Sequence, residues 1–312
     1  MALGRRVRPL VALDWGTSSL RGARLAVDGS VADERAFPLG ILTVPPGGFP
    51  AVFAAHFGDW MDAPGALCLI AGMAGSQQGW LEAPYCRCPA GFDELAQWLA
   101  WVEPGRIAIV PGLSFEADGV PDVMRGEETQ VFGALRLLGA QDAQDALIVL
   151  PGTHSKWVQV RAGRIESFAT LMTGEFYALL RRHSILARTL PAEDAEPHDE
   201  PNVGLNNHAF DAGVALALRG ASLLHTAFSV RSLALFKRLQ PAQATSYLSG
   251  LVIGEELRSR ALASGSVVVI VGDARLTGRY ARALAQCGAV THCLGAQATW
   301  RGLHEIATRI SA

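Results

Sequence analysis

The sequence predicts an α/β protein built from two similar units in tandem, and three observations carry that prediction. Each half opens with three extended segments and then alternates helix and strand, so the order βββαβαβα occurs twice once a long helical stretch is set aside. In each half the first strand runs directly into a turn of small residues, LDWGTSS at 13–19 and LPGTHSK at 150–156. The chain has 312 residues, 50% hydrophobic and 18% charged, which is more than one hydrophobic core usually spans. We therefore expect two domains, 1–142 and 143–312, with a helical insertion at about 174–263 in the second.

The elements follow in order. Extended segments are expected at 8–15, 19–27 and 31–37, with Val-Asp-Gly as the tight turn before the third. A helix near 48–61, the apolar strand ALCLIAG, a helix near 92–102 and the strand RIAIV come next. The helix EETQVFGALRLLG, stopped by glycine, closes the first half. In the second half DALIVLPG is a strand, and SKWVQVRAG with RIESFAT forms a hairpin around Ala-Gly. After the insertion come the strand SVVVIVG, the helix ARLTGRYARALAQCG, the short strand AVTHCL and a final helix from about 296. The Pro-, Asp- and Glu-rich stretch 191–207 reads as an exposed loop. Two such units in tandem leave a cleft for a ligand.

Composition excludes several classes. Net charge is −2 and no long Lys/Arg run occurs, so there is no nucleic-acid footprint. The apolar run after MALGRRVRPL is cut by Asp14, too early for a signal or spanning segment, and no other stretch is long and uncharged enough. The five cysteines (Cys68, Cys86, Cys88, Cys287, Cys293) are odd in number and lack metal-type spacing, so they read as reduced structural thiols. A cytoplasmic protein without a membrane partner is expected.

The two small-residue turns are the first candidates for chemistry. Gly16, Thr17 and Ser18 in one, and Gly152, Thr153, His154 and Ser155 in the other, offer backbone amides and hydroxyls of the kind that cradle phosphate. The plain alternative is that each is an ordinary hairpin turn. Asp14 stands out because a carboxylate in an anion-binding turn demands a positive partner between it and the anion. A third glycine turn, VIVGDARLTGRY at 269–280, follows an apolar strand and opens a helix, and it places Gly272 and Asp273 where a ribose or flat ring can lie on the backbone. It lacks the Gly-Lys-[Ser/Thr] ending of a Walker loop, and no G-x-G-x-x-G stands in strand–helix context. In VMRGEETQ, Glu127 and Glu128 fall at a helix start, where acids offset the dipole or take a proton from an attacking hydroxyl. Arg125 beside them suits a bidentate grip on a substrate carboxylate. Gly75, Ser76 and Gln77 in AGMAGSQQGW suit a polyol or sugar acid, or form an irregular connection. Thr173 and Glu175 in LMTGEFY are either helix-start residues or substrate contacts. His154 and His183 lack a metal partner and read as structural on spacing alone.

Taken together, VALDWGTSSLR, AGMAGSQQGW, VMRGEETQ, LPGTHSKWVQV, MTGE, HSIL, YLSGLVIGEEL and LTGRY resemble the sugar-kinase branch of the actin-like ATPase superfamily, and within it the 2-dehydro-3-deoxygalactonokinase family. The resemblance spans most of residues 11–280. It implies two ribonuclease-H-like domains with mixed five-stranded sheets flanking a nucleotide cleft, and ATP with Mg²⁺ as cofactors. It implies phosphorylation of 2-keto-3-deoxygalactonate at its 6-hydroxyl. By the same resemblance Asp14 holds Mg²⁺, Gly16–Ser18 and Gly152–Ser155 hold phosphate, and Gly272–Asp273 holds adenosine. Relatives carry an aspartate as base where this chain has Glu127-Glu128; Glu128 is the first candidate and Glu127 the second. A kinase for another sugar acid or ketose, and a non-metabolic actin-like ATPase module, are the alternative readings. The helical insertion is a candidate homodimer surface.

Overall fold

In the computed structural model, which describes residues 8–139, 142–191 and 203–310, strands β1 (Leu10–Trp15), β2 (Leu20–Leu25) and β3 (Val31–Phe37) form an antiparallel meander. Strand β4 (Leu67–Gly72) then pairs parallel with β1 on its other side. Central position explains the sequence of β1 and β4: both are covered on two faces and read as continuous apolar runs, whereas β3 at the edge is polar and largely exposed. Strand β5 (Tyr85–Arg87), helix α2 (Phe92–Gln97), and strands β6 (Ala100–Glu103), β7 (Ile107–Ile109), β8 (Gly112–Ala117) and β9 (Val120–Met124) follow, and α3 (Glu127–Leu137) closes this half. The first sheet has the order β3-β2-β1-β4-β7-β6.

Two features depart from expectation. The helix expected to reach residue 102 stops at Gln97, and Ala100–Glu103 instead adds a sixth strand, antiparallel to β7. Trp101 and Val102 favour a pleated surface over a helix, and the open edge of β7 supplies the partner. The second feature is a small sheet of order β5-β8-β9, whose last strand leads straight into Arg125.

Helix α1 (Phe49–Phe57) carries Phe49, Phe53 and Phe57 on one stripe at i, i+4 and i+8, all buried with Trp15, Trp60 and Met61. The Trp15 and Phe49 rings meet edge-on at 5.2 Å. Burying each such ring contributes about 1.5–3 kcal/mol. Trp15 also donates from Nε1 to the Leu39 carbonyl at 2.9 Å, so the residue after Asp14 is locked in place.

In the second half β10 (Ala146–Leu150), β11 (Ser155–Arg161), β12 (Arg164–Leu171), β13 (Val267–Val271) and β14 (Val290–Leu294) have the order β12-β11-β10-β13-β14. That is the same permutation as β3-β2-β1-β4-β7, the topological repeat read from the sequence. The hairpin turn at Ala162-Gly163 has both residues at positive φ, 49° and 69°. The insertion is a set of helices: α4 (Thr173–His183), α5 (Val203–Leu218), α6 (Leu223–Thr226), α7 (Ser229–Leu235) and α8 (Pro241–Arg260). The expected loop at 191–207 falls mainly on residues outside the described ones. Helix α9 (Ala274–Gln286) follows β13, and α10 (Gln297–Ala307) ends the chain's described elements.

By compactness the chain divides into two units. One holds the residues up to Ile148 with Trp157–Ala169 and those from Leu294 on; the other holds Val149–Lys156 and Thr170–Cys293. Helix α10 thus groups with α3. A Cβ on Gly133 would lie 1.7 Å from the Ala298 carbonyl oxygen, and one on Gly302 would lie 1.9 Å from that of Thr129, so the two helices cross backbone to backbone. Among the described residues no helix is long and apolar enough to cross a membrane.

Candidate active site

In the first unit the parallel register of β1 and β4 brings their C-terminal ends level, with Asp14 beside Ala71 and Trp15 beside Gly72. Gly72 has φ +94°, and a Cβ there would sit 2.8 Å from the Trp15 carbonyl oxygen and 3.4 Å from Asp14 Oδ1. Gly126, at φ +108°, abuts Gly72 in turn, since its Cβ would lie 3.0 Å from the Gly72 Cα. Only glycine fits both positions. The pair seats the N-terminus of α3, with Glu127 and Glu128, against the strand end that carries Asp14.

Asp14 is opposite Arg21 on β2 and accepts from its Nη2 through Oδ2 at 2.5 Å. Its Oδ1 has no hydrogen-bond partner among the described residues. The turn that follows is tied down by its carbonyls: Ile41 N–H donates to Gly16 and Leu42 N–H to Thr17, while Gly40 packs against Ser18. Thr17 and Ser18 are exposed, and their amides carry no hydrogen bond among the described residues.

Glu128 is fully buried. Its Oε2 accepts from the Gly126 amide at 2.7 Å, and its Oε1 has no hydrogen-bond partner among the described residues. Burial, with the neighbouring Glu127 charge, pushes its carboxyl up to about 8. Glu127 is half-buried and accepts from the Arg125 amide at 3.0 Å. The Arg125 guanidinium is itself buried; Nη2 donates to the Ala83 carbonyl at 2.8 Å, and Nε and Nη1 have no hydrogen-bond partner among the described residues. The Tyr85 ring of β5 covers the guanidinium at 4.2 Å. Gly75 lies against it too, because a Cβ there would meet Nη1 at 2.8 Å. Ser76 donates to the Met73 carbonyl, and Gln77 is exposed. Tyr85 was not singled out in the sequence; Asp118-Gly119, the turn that builds its sheet, was the readable signal.

In the second unit the turn after β10 lies against the start of α4. A Cβ on Gly174 would come within 2.5 Å of the Gly152 carbonyl oxygen, and the Glu175 amide donates to the Thr153 carbonyl at 3.0 Å. Gly272 adjoins the same turn, its Cβ position being 3.9 Å from the Pro151 carbonyl oxygen. The unit therefore gathers Gly152–Ser155, Thr173, Glu175, Gly272 and Asp273. Thr153 and His154 are exposed, and the amides of Gly152, Thr153 and His154 carry no hydrogen bond among the described residues. His154 Nε2 pairs with Glu175 Oε2 at 2.5 Å at the rim. Asp273 caps α9 by accepting from the Arg275 amide.

Behind this turn runs a buried chain of hydroxyls ending on a carboxylate. Tyr280 donates to Glu256 Oε2 at 2.7 Å, so its single proton is used and Ser155 donates to Tyr280 at 2.8 Å. Thr173 donates to the same Glu256 oxygen. Burial and the Glu256 charge hold the Tyr280 hydroxyl well above the ordinary tyrosine range. Ser155 and Thr173, both expected as ligand contacts, thus have their hydroxyls directed inward. Glu256 and Tyr280 lay within the resembling stretches, but nothing in their spacing marked them as partners.

Asp14 suits a hard cation, with one oxygen held by Arg21 and the other open. Among the described residues no three His, Cys, Asp or Glu side chains cluster as a metal cage. A cation held by one carboxylate and completed by water and phosphate oxygens is the habit of Mg²⁺. All five cysteines are free thiols, and burial pushes Cys86 to about 11 and Cys88 to about 12.

The family model described as 2-keto-3-deoxy-galactonokinase matches residues 14–306. A protein of Rhizobium meliloti (strain 1021) named as a 2-dehydro-3-deoxygalactonokinase is 38% identical over 283 residues, 89% of each chain. The 2-dehydro-3-deoxygalactonokinase of Escherichia coli (strain K12) is 34% identical over 304 residues, covering 96% of this chain and 98% of that one. A crystal structure of a Sinorhizobium meliloti protein given the same enzyme name superposes with a TM-score of 0.86 at 35% identity, covering 96% of this chain and 99% of the other. The chain belongs to the 2-keto-3-deoxy-galactonokinase family: it is a kinase, and the family implies a sugar acid and ATP as its substrates.

Proposed function

We propose that this kinase transfers the terminal phosphoryl group of ATP to the 6-hydroxyl of 2-keto-3-deoxygalactonate, with the Glu127-Glu128 pair supplying the base. The observation that carries the reading is Glu128, a buried carboxyl with one unpartnered oxygen at the start of α3, next to the strand end that bears Asp14. Glu128 comes first as proton acceptor because Oε1 is open and its basicity is raised by burial. Glu127 comes second because its Oε2 already holds the Arg125 amide. Arg125 receives the substrate carboxylate on its Nε and Nη1 edge once the Tyr85 ring yields access. Asp14 holds Mg²⁺, which when bound neutralises phosphate charge. The exposed amides of Thr17 and Ser18, and those of Gly152, Thr153 and His154, orient phosphate oxygens. Catalysis in this reading is positioning and charge neutralisation, with a modest share for the base. The domain boundary at 142/143 and a cytoplasmic location belong to the same reading, supported by the repeated strand order and by five free thiols.

Glu128→Gln tests it. The expected result is a kcat lower by about 10²–10⁴ with nucleotide affinity retained. In the wild type kcat/KM should climb with pH, bend near pH 8 and level off about one unit above it, because only the ionised carboxylate accepts a proton; the variant should lose that limb. An unchanged kcat in Glu128→Gln with a collapse in Glu127→Gln would transfer the role to Glu127.

A further inference from the structure

We propose that a second cavity of the first unit, about 350 Å³ and walled by Asp28, Ser30, Arg136, Gln297, Trp300 and Arg301, binds a small hydroxylated anion of the phosphorylated sugar-acid class. It shares no residue with the candidate active site. Glu128 stands at the start of α3 and Arg136 near its end, about 12 Å apart along the helix axis. The volume is at the small end of the range for ligand pockets, which suits a single sugar-sized molecule.

The two arginines carry the inference. Arg136 on α3 and Arg301 on α10 turn onto one carboxylate, Glu305, with N–O separations of 3.0 and 3.7 Å. Arg309 meets the same carboxylate at 3.4 Å, although it also has Asp93 at 3.2 Å. One carboxylate thus serves three guanidiniums. Arg301 Nη1 is further held by the Asp28 carbonyl at 2.8 Å, and the Phe92 ring lies 5.3 Å from the Arg136 guanidinium. Gly29, at φ +81°, leaves the room this needs, since a Cβ there would meet Arg301 Nη1 at 2.8 Å. Both side chains are fixed from behind, yet they remain 43% and 34% exposed. Nε and Nη1 of Arg136, and Nε of Arg301, have no hydrogen-bond partner among the described residues. Held guanidiniums with spare donors take carboxylate or phosphate at little cost in ordering.

The rest of the wall selects among anions. Asp28 Oδ1 accepts from the amide and the hydroxyl of Ser30, at 2.9 and 2.6 Å, and these bonds hold its carboxyl below the usual carboxylate range. The ionised group repels a bare inorganic anion and accepts from a ligand hydroxyl. Gln297 adds an amide that both donates and accepts. Val31 and Leu137, 45% and 41% exposed, form an apolar side for carbon-bound hydrogens. Two guanidiniums and one carboxylate match a ligand with more than one negative charge and at least one hydroxyl. Such a ligand would tie α3 to α10 where Gly133 and Gly302 already bring the two backbones together.

Calorimetric titration of the full chain with 6-phosphogluconate, gluconate and inorganic phosphate, without nucleotide or Mg²⁺, tests the assignment. The expected result is a binding phase for 6-phosphogluconate about tenfold or more tighter than for either of the others. That phase should survive Arg125→Lys and weaken about tenfold or more in Arg136→Gln and in Arg301→Gln. Asp28→Asn, which keeps the oxygen that Ser30 bonds, should bring inorganic phosphate closer to 6-phosphogluconate in affinity, and it decides alone if the arginine variants fail to fold. No binding by the wild type, equal affinity for inorganic phosphate, or binding untouched by both arginine changes in folded protein would overturn the proposal. So would the disappearance of all binding in Arg125→Lys, which would assign the ligand to the candidate active site. A wrong base or a wrong sugar substrate leaves these titrations unaffected.

Discussion

The turn that follows β1 and the turn that follows β10 occupy the same place in two sheets of one topology, yet their surroundings are opposites. Around the first, charged groups are buried with unfilled hydrogen-bonding capacity: Glu128 Oε1, and Arg125 Nε and Nη1. Around the second, the buried polar groups Ser155, Tyr280, Thr173 and Glu256 satisfy one another in a continuous chain. Buried polar atoms without partners are costly, so a fold keeps them where a ligand completes them. The contrast is one of satisfaction: the first unit keeps buried charged atoms short of partners at a cost in stability, and the second satisfies its buried polar groups internally.

The largest effect should come from the one carboxylate that distinguishes the turns. Asp14→Asn is expected to lower kcat by about 10³ or more, the several kcal/mol that a metal contributes to charge stabilisation. The fold should hardly notice, because the Asp14–Arg21 pair reaches solvent through Arg21 and such pairs contribute little. A variant that keeps full turnover at saturating Mg²⁺ would make the two turns equivalent and end the comparison.

Stability measured against pH sharpens it further. The folded pKa of Glu128 is about 8, above the ordinary carboxyl value of 4.5, so the fold carries no penalty below pH 4.5 and an increasing one up to pH 8. Above pH 8 the cost levels off at about 5 kcal/mol. Glu128→Gln should abolish that titration, so its melting temperature relative to wild type rises between pH 5 and pH 8. A difference that stays flat with pH would mean Glu128 is not held neutral.

The framework was legible where local chemistry decides it. Val-Asp-Gly and Ala-Gly marked two hairpins, and Gly-Thr and Gly-Asp marked turns after apolar strands. The small sheet β5-β8-β9 was missed although Asp118-Gly119, with φ of 52° and 77°, is the two-residue hairpin signal in plain form. Its strands are short, and β5 is separated from β8 by a helix and two strands of another sheet, so no local pattern joins them. The site shows the same limit. Asp14, Glu128 and the turn glycines stood out as candidates by residue type, while the Tyr85 cover on Arg125 and the Glu256–Tyr280 link are set by tertiary packing alone.

Arg125→Lys probes the buried cation of the first unit. Lysine keeps the charge but loses the planar fork, so KM for the sugar acid should rise about 10–100-fold while KM for ATP stays constant. Equal rises in both constants would point to a damaged fold instead of a lost carboxylate contact, and circular dichroism melts would separate the two.

Tyr280→Phe probes the satisfied chain of the second unit and should give the smallest effect on chemistry. The substitution removes one oxygen and leaves the ring, so Ser155 loses its acceptor and Glu256 loses a donor. Leaving such buried groups short of a partner costs about 1–3 kcal/mol, which denaturant unfolding would read directly. The turn at 152–155 should then loosen, raising KM for ATP a few-fold with kcat close to wild type, because no reacting atom touches the chain. If kcat falls as far as in Glu128→Gln while stability holds, the hydroxyl chain takes part in the reaction. The second unit would then share the reactive role that burial and missing partners assign to the first.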